Sequence, residues 1–153
     1  MLTWYAQEHV ASCVAACLRM VLSGFGQFPT EKRLRQLLGN PLLGLSLAQA
    51  YQRIVSAGIA DASHHSDWGL IDLRDCLRAG HHPIVGIERR CFGHPAALHA
   101  IVLLEISSQS ISAFDPLGSA QAEIFNLRTF EFAWNSAGQQ ALVINSPFPP
   151  ETF

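Results

Sequence analysis

Near residue 80 the sequence changes its period, and that change limits the chain to helices first and sheet second. Before it, apolar residues recur every three or four positions, as on the buried stripe of a helix. Val14, Cys17, Leu18, Val21 and Leu22 form one such stripe, ended by Ser23, Gly24 and Gly26. Thr30 is placed to cap a second helix with Leu34, Leu37 and Leu38 inward, closed by Gly39, Asn40 and Pro41. A third helix has the strongest signature. Ser46 with Gln49 forms a capping box, Leu47, Ala50, Tyr51, Ile54 and Val55 make the stripe, and Gly58 stops it. A short strand over 59–62, a polar loop carrying His64 and His65, and a fourth helix with Leu73, Cys76 and Leu77 complete this half.

After Gly80 the texture is that of strands. Residues 83–88 (PIVGIE), 99–106 (HAIVLLEI), 111–114, 122–127 and 140–144 are apolar runs rich in branched side chains, separated by turn residues. Asp115-Pro116-Leu117-Gly118 reads as a turn, and Thr129 as the cap of a short helix through Trp134. Residues 2–5 suit an extended entry segment, and the proline-rich 146–153 a tail. The expectation is a single α+β domain over 1–153. Its helical part, about 7–80, packs on an antiparallel sheet part, about 83–145, with a site in the groove between them.

Composition removes several classes of function. A chain of 153 residues can bury a real core, and 49% hydrophobic against 14% charged residues excludes disorder and predicts exposed apolar surface. A net charge of -2 with ten basic residues argues against nucleic acid or an anionic membrane as partner. No apolar run reaches the roughly 18 residues of a membrane span, and no secretion leader opens the sequence. The expectation is a cytoplasmic, soluble protein with reduced thiols. Its four cysteines make no C-x-x-C pair, and Cys13 and Cys17 lack a nearby His-x-x-x-His to complete a zinc pattern. A metal held by Cys13, Cys17 and a histidine would consume the thiol best placed for attack, so neither metal nor cofactor is expected.

That thiol is the centre of the chemical reading. Cys13 opens the first helix, where unpaired N–H groups and the macrodipole favour negative charge and lower a thiol pKa. A cysteine nucleophile also needs a histidine base and a third group to orient it. Of the seven histidines, His9 is too near Cys13 in sequence, His64 and His65 lie in the polar loop, and His81 and His82 follow a helix end. His94 sits in a Gly-His-Pro loop, whereas His99 opens the strongest strand and is held rigidly there. Asp115 ends the next strand. An antiparallel hairpin through the turn at 107–110 brings the start of the first strand beside the end of the second, making His99 and Asp115 neighbours.

Gln7, Cys13 at a helix start, His99 at a strand start and then Asp115-Pro116 form an order that resembles the bacterial peptidases processing double-glycine leader peptides of bacteriocins, which are papain-like cysteine peptidases. Ala16-Cys17-Leu18 with Met20, the stretch Leu43-Gly44-Leu45-Ser46-Leu47, Pro83-Ile84-Val85 and the ending over 132–144 are similar to family motifs as well. The resemblance implies a papain-like fold and a thiol protease cleaving a peptide or protein precursor, with a double-glycine leader among the candidate substrates. It implies Cys13 as nucleophile, His99 as base, Asp115 as its orienting carboxylate and Gln7 as oxyanion donor. Ser12 and Val14 stand where the family usually has an acidic residue and a glycine. Many members are domains of membrane transporters, and a free-standing enzyme is expected here. Two other readings stay open: a non-catalytic peptide-binding module of the same fold, and an amide-transferring or deamidating enzyme. The presence of both Cys13 and His99 speaks against the first, while the second shares the same thioester.

Overall fold

The computed structural model describes residues 1–39 and 42–149 and is α+β. Helices α1 (Cys13–Ser23), α2 (Glu31–Leu37) and α3 (Leu47–Ser56) come first, followed by β1 (Ala60–His65) and α4 (Leu70–Arg78). Then come β2 (Ile84–Glu88), a 3-10 turn over Arg89–Phe92, β3 (Leu98–Ile106), β4 (Ser110–Phe114), β5 (Glu123–Asn126), α5 (Leu127–Ser136) and β6 (Ala141–Pro147). The strands form one six-stranded antiparallel sheet in the order β1-β6-β2-β3-β4-β5.

Alternation along the central strands explains why both faces of this sheet are covered. On β3, Ala100 and Val102 join a core with Leu18, Val21 and Leu22 of α1, Leu34 of α2 and Ile54 of α3. Ile101 and Leu103, between and beyond them, join a second core with Leu73 of α4 and Phe130 and Trp134 of α5. Each of residues 100–103 therefore faces a helix layer, and this part of the strand reads as a continuous apolar run. The long run at 99–106 was the clearest sign of this burial.

The helix caps follow local chemistry. Thr30 accepts the Arg33 N–H at 3.1 Å, and Ser46 and Gln49 form the full capping box. Gly58 follows α3 with φ of 69°, a conformation that suits glycine. The closing Asn40 and Pro41 of the second helix, and Pro150 onward in the tail, lie outside the described residues.

Four expectations are corrected. His64 and His65 belong to β1, which pairs with β6, and are not in a loop. His64 Nε2 lies 2.8 Å from Gln140 Oε1, while His65 stacks on Trp68, so the strand satisfies both rings. The cap of α5 is Asn126, whose Oδ1 accepts both the Arg128 and Thr129 N–H groups, so the helix begins before Thr129. Val55 is exposed, because the face of α3 that meets the sheet is narrower than its apolar stripe. Finally, β6 continues through Ser146 and Pro147. A register shift on this strand beside Asp61 and Ala62 admits the extra residue Asn145, and a strand-end proline gives up no ladder bond that the sheet needs.

Candidate active site

The antiparallel hairpin of β3 and β4 places the two groups predicted to work together. Val102 pairs with Phe114 and Leu103 with Ala113, so continuing the register sets Asp115 opposite Ile101, whose same-side neighbour along β3 is His99. His99 Nε2 donates to Asp115 Oδ1 at 2.7 Å, and His99 is only 6% exposed. The Asp115 carboxylate also accepts the Leu117 N–H at 2.8 Å inside the predicted turn. With Nε2 committed to Asp115, Nδ1 remains for the thiol of Cys13, to which His99 is hydrogen-bonded across the groove.

The charges in this trio are set by competition between burial and pairing. Burial acts against a charged His99, but the hydrogen bonds and charges of Asp115 and Cys13 outweigh it and hold the imidazole at about 9. Burial likewise pushes the Cys13 thiol up. His99, together with the Ala100 and Val14 N–H groups, more than reverses this and brings the thiol below its ordinary value. Burial also opposes the Asp115 charge, and the hydrogen bond and charge of His99, the Leu117 N–H and nearby Arg89 overcome it. Both shifts favour the same charge state, a thiolate beside an imidazolium. Cys17, one turn on and fully buried, has its thiol pushed far up by burial and by the charges of Cys13 and Asp115. It is inert packing.

Gln7 is held from three directions. Its N–H donates to Pro116 O at 3.0 Å, while Trp4 Nε1 donates to Asp115 O at 2.8 Å, so the entry segment lies along the Asp115 turn. The Gln7 side-chain Nε2 donates to His9 O at 2.8 Å and Val10 O at 3.1 Å. Its Oε1 is buried without a hydrogen-bond partner among the described residues. The side chain thus lines the groove with Cys13, but both its donors close the 7–10 turn, not an empty anion site. The N–H of Cys13 opens α1 and has no carbonyl of its own helix to bond.

The groove containing Cys13 and His99 measures about 1220 Å³. Exposed Val10, Leu42, Leu43, Leu98 and Leu117 line it, which accounts for much of the apolar surface that composition predicted. Gly44, with φ of 87°, carries the 42–46 loop against residues 7–12. A Cβ there would stand 3.3 Å from Ala11 O. Val14, next to Cys13, also lines the groove. His94 is exposed on the loop after the 3-10 turn, and His9 is exposed on the 7–12 turn. Among the described residues no group of three or more His, Cys, Asp or Glu could hold a metal ion.

Three solved structures share this architecture. A candidate C39-like peptidase from Bacillus anthracis superposes with a TM-score of 0.76 at 15% identity, covering 94% of each chain. The chain has the fold of the C39-like peptidases. The peptidase domain of Streptococcus ComA, a bi-functional ABC transporter of a quorum-sensing pathway, gives 0.74 at 16% identity over 94% of this chain and 98% of that one. A double-glycine motif protease from an AMS/PCAT transporter, in complex with its leader peptide, gives 0.71 at 16% identity over 97% and 93%. No protein-family model matches the chain, and no curated protein does. In this C39-type fold, no helix among the described residues is long and apolar enough to cross a membrane.

Sequence reasoning missed two contributors. Arg89, in the 3-10 turn, adds positive charge near Asp115. Glu31 reaches the residues before Cys13 from α2. An acidic residue just after a Thr cap reads as an exposed partner of the helix dipole, so nothing in the pattern signalled its burial.

One prediction arises directly from the trio. Replacing Asp115 with asparagine removes the charge that helps hold His99 near 9. A raised histidine pKa means the acid form persists up to that value. Activity needing imidazolium should fall above pH 9 in the parent, and at distinctly lower pH in Asp115→Asn. The basic limb of the pH–rate profile checks this, and an unmoved limb would remove Asp115 from the assembly.

Proposed function

We propose that this chain is a cysteine endopeptidase that cleaves a leader or precursor peptide by acyl transfer. The observation that carries the reading is His99 hydrogen-bonded on one side to Asp115 and on the other to a Cys13 thiol of lowered pKa, all at one groove. In this reading the Cys13 thiolate attacks the scissile carbonyl carbon, and the C=O electron pair moves onto oxygen. His99 imidazolium then gives its proton to the leaving amine as the C–N bond breaks, leaving a thioester on Cys13. Water attacks the thioester, His99 takes its proton, and the acid product leaves with the thiolate restored.

The oxyanion is received by the Cys13 N–H and by Gln7 Nε2. Gln7 exchanges its longer bond, to the carbonyl of exposed Val10, for the developing charge. The apolar lining of the groove suits a substrate with large apolar side chains near the scissile bond, and a double-glycine precursor is the leading candidate. The relative solved with its leader peptide supports a peptide ligand for a groove of this fold. Mass spectrometry after incubation with peptides encoded near the gene tests the reading. The parent should yield two fragments from one peptide and Cys13→Ala none. Unchanged peptides alongside saturable binding would make the groove a docking site, and a mass change of about +1 Da without cleavage would indicate deamidation.

A further inference from the structure

The most unusual side chain outside the trio is Glu31, a carboxylate with no exposed surface. Burying a charge is unfavourable unless partners replace its water. Three groups do so here, and two of them belong to the residues leading to the nucleophile. Glu31 Oε1 accepts the Glu8 N–H at 3.0 Å and lies 3.1 Å from the Ser12 hydroxyl, while Oε2 accepts Arg35 Nε at 3.2 Å. Ser12 is the residue before α1, only 4% exposed, and its Oγ accepts the His9 N–H at 3.0 Å. The single hydroxyl proton of Ser12 has two acceptors in range, Glu31 and His9 O at 3.0 Å. The charged carboxylate is the stronger of the two.

The consequence is mechanical. Residues 8 and 12 are tied to one carboxylate on another helix, and Gln7 and Cys13 lie immediately outside that pair. The Pro116 carbonyl holds the other side of Gln7. The turn between the two oxyanion donors is therefore fixed from both flanks, and Glu31 supplies the flank that has no tie to His99. Resting on the acyl-transfer reading above, we propose that Glu31 is a positioning residue, which fixes residues 8–12 through Glu8 and Ser12 and so places the Cys13 N–H and the Gln7 amide for the oxyanion.

Two reagents separate this from a general structural role. Iodoacetamide alkylates a thiolate by displacement at a saturated carbon, and no oxyanion forms. With p-nitrophenyl acetate the thiolate attacks the carbonyl, an oxyanion forms, p-nitrophenolate leaves with the electron pair of the broken C–O bond, and Cys13 holds the acetyl group. Rates for both are read on the Cys13 peptide by mass spectrometry, in the full chain. Glu31→Gln and Ser12→Ala should each slow acetylation tenfold or more while alkylation stays within twofold of the parent. Should Glu31→Gln fail to fold with Arg35 left unpaired, Ser12→Ala decides alone, because it removes the tie next to Cys13 and leaves the Glu8 bond and the Arg35 pair in place. Equal losses in both reactions, or no loss in either, would overturn the positioning role. A parent protein that is alkylated but never acetylated would overturn the acyl-transfer reading and this proposal with it.

Discussion

His99→Ala should lower peptide turnover by about 10²–10⁴-fold, the usual contribution of a positioned acid–base group. The variant should also change the Cys13 thiol itself. Burial raises the Cys13 thiol, and His99 is the principal group opposing that rise. Without the imidazolium, the pH at which alkylation of Cys13 reaches half its maximum should move upward. The matching control is His94→Ala. That ring is exposed on a loop and should be dispensable. An inactive His94→Ala beside an active His99→Ala would reverse the assignment of the base.

Gln7→Ala should cost about 2.7–4 kcal/mol in the barrier, or about 10²–10³-fold in kcat, as loss of one oxyanion donor does elsewhere. Alkylation of Cys13 by iodoacetamide should be little altered, since that reaction develops no oxyanion. The geometry makes this a demanding test. Both Gln7 donors are bonded to His9 O and Val10 O, so the residue contributes to catalysis only by exchanging one of those bonds for substrate. A fully active Gln7→Ala would show that the side chain merely closes the turn, leaving the Cys13 N–H without this second donor.

The elements on which these predictions depend differ in how plainly the sequence declared them. The hairpin did so through a long apolar run, a Ser-rich turn and an Asp-Pro pair, and the observed register brings His99 to Asp115. Helix α3 did so through its capping box, because capping chemistry is local and is written in four consecutive residues. What the sequence hid was non-local. His64 and His65 look like loop residues, and only pairing with β6 makes them strand. Asn126 displaces Thr129 as the cap of α5 because β5 delivers the chain there in the right geometry. Glu31 is apart from Ser12 by a helix and a turn, and no spacing rule connects them. The side-chain orientation of Gln7 was equally out of reach, since it depends on where two backbone carbonyls of the following turn point.

The proposed mechanism passes through a Cys13 that carries an acyl group taken from a peptide. It is tested most directly by mixing the protein with a cleaved peptide, quenching in acid within the first turnover, and weighing the intact chain. The added mass should equal the N-terminal fragment less water, located on Cys13 and absent from Cys13→Ala. Cleavage by Cys13→Ala at the parent's rate would contradict the mechanism.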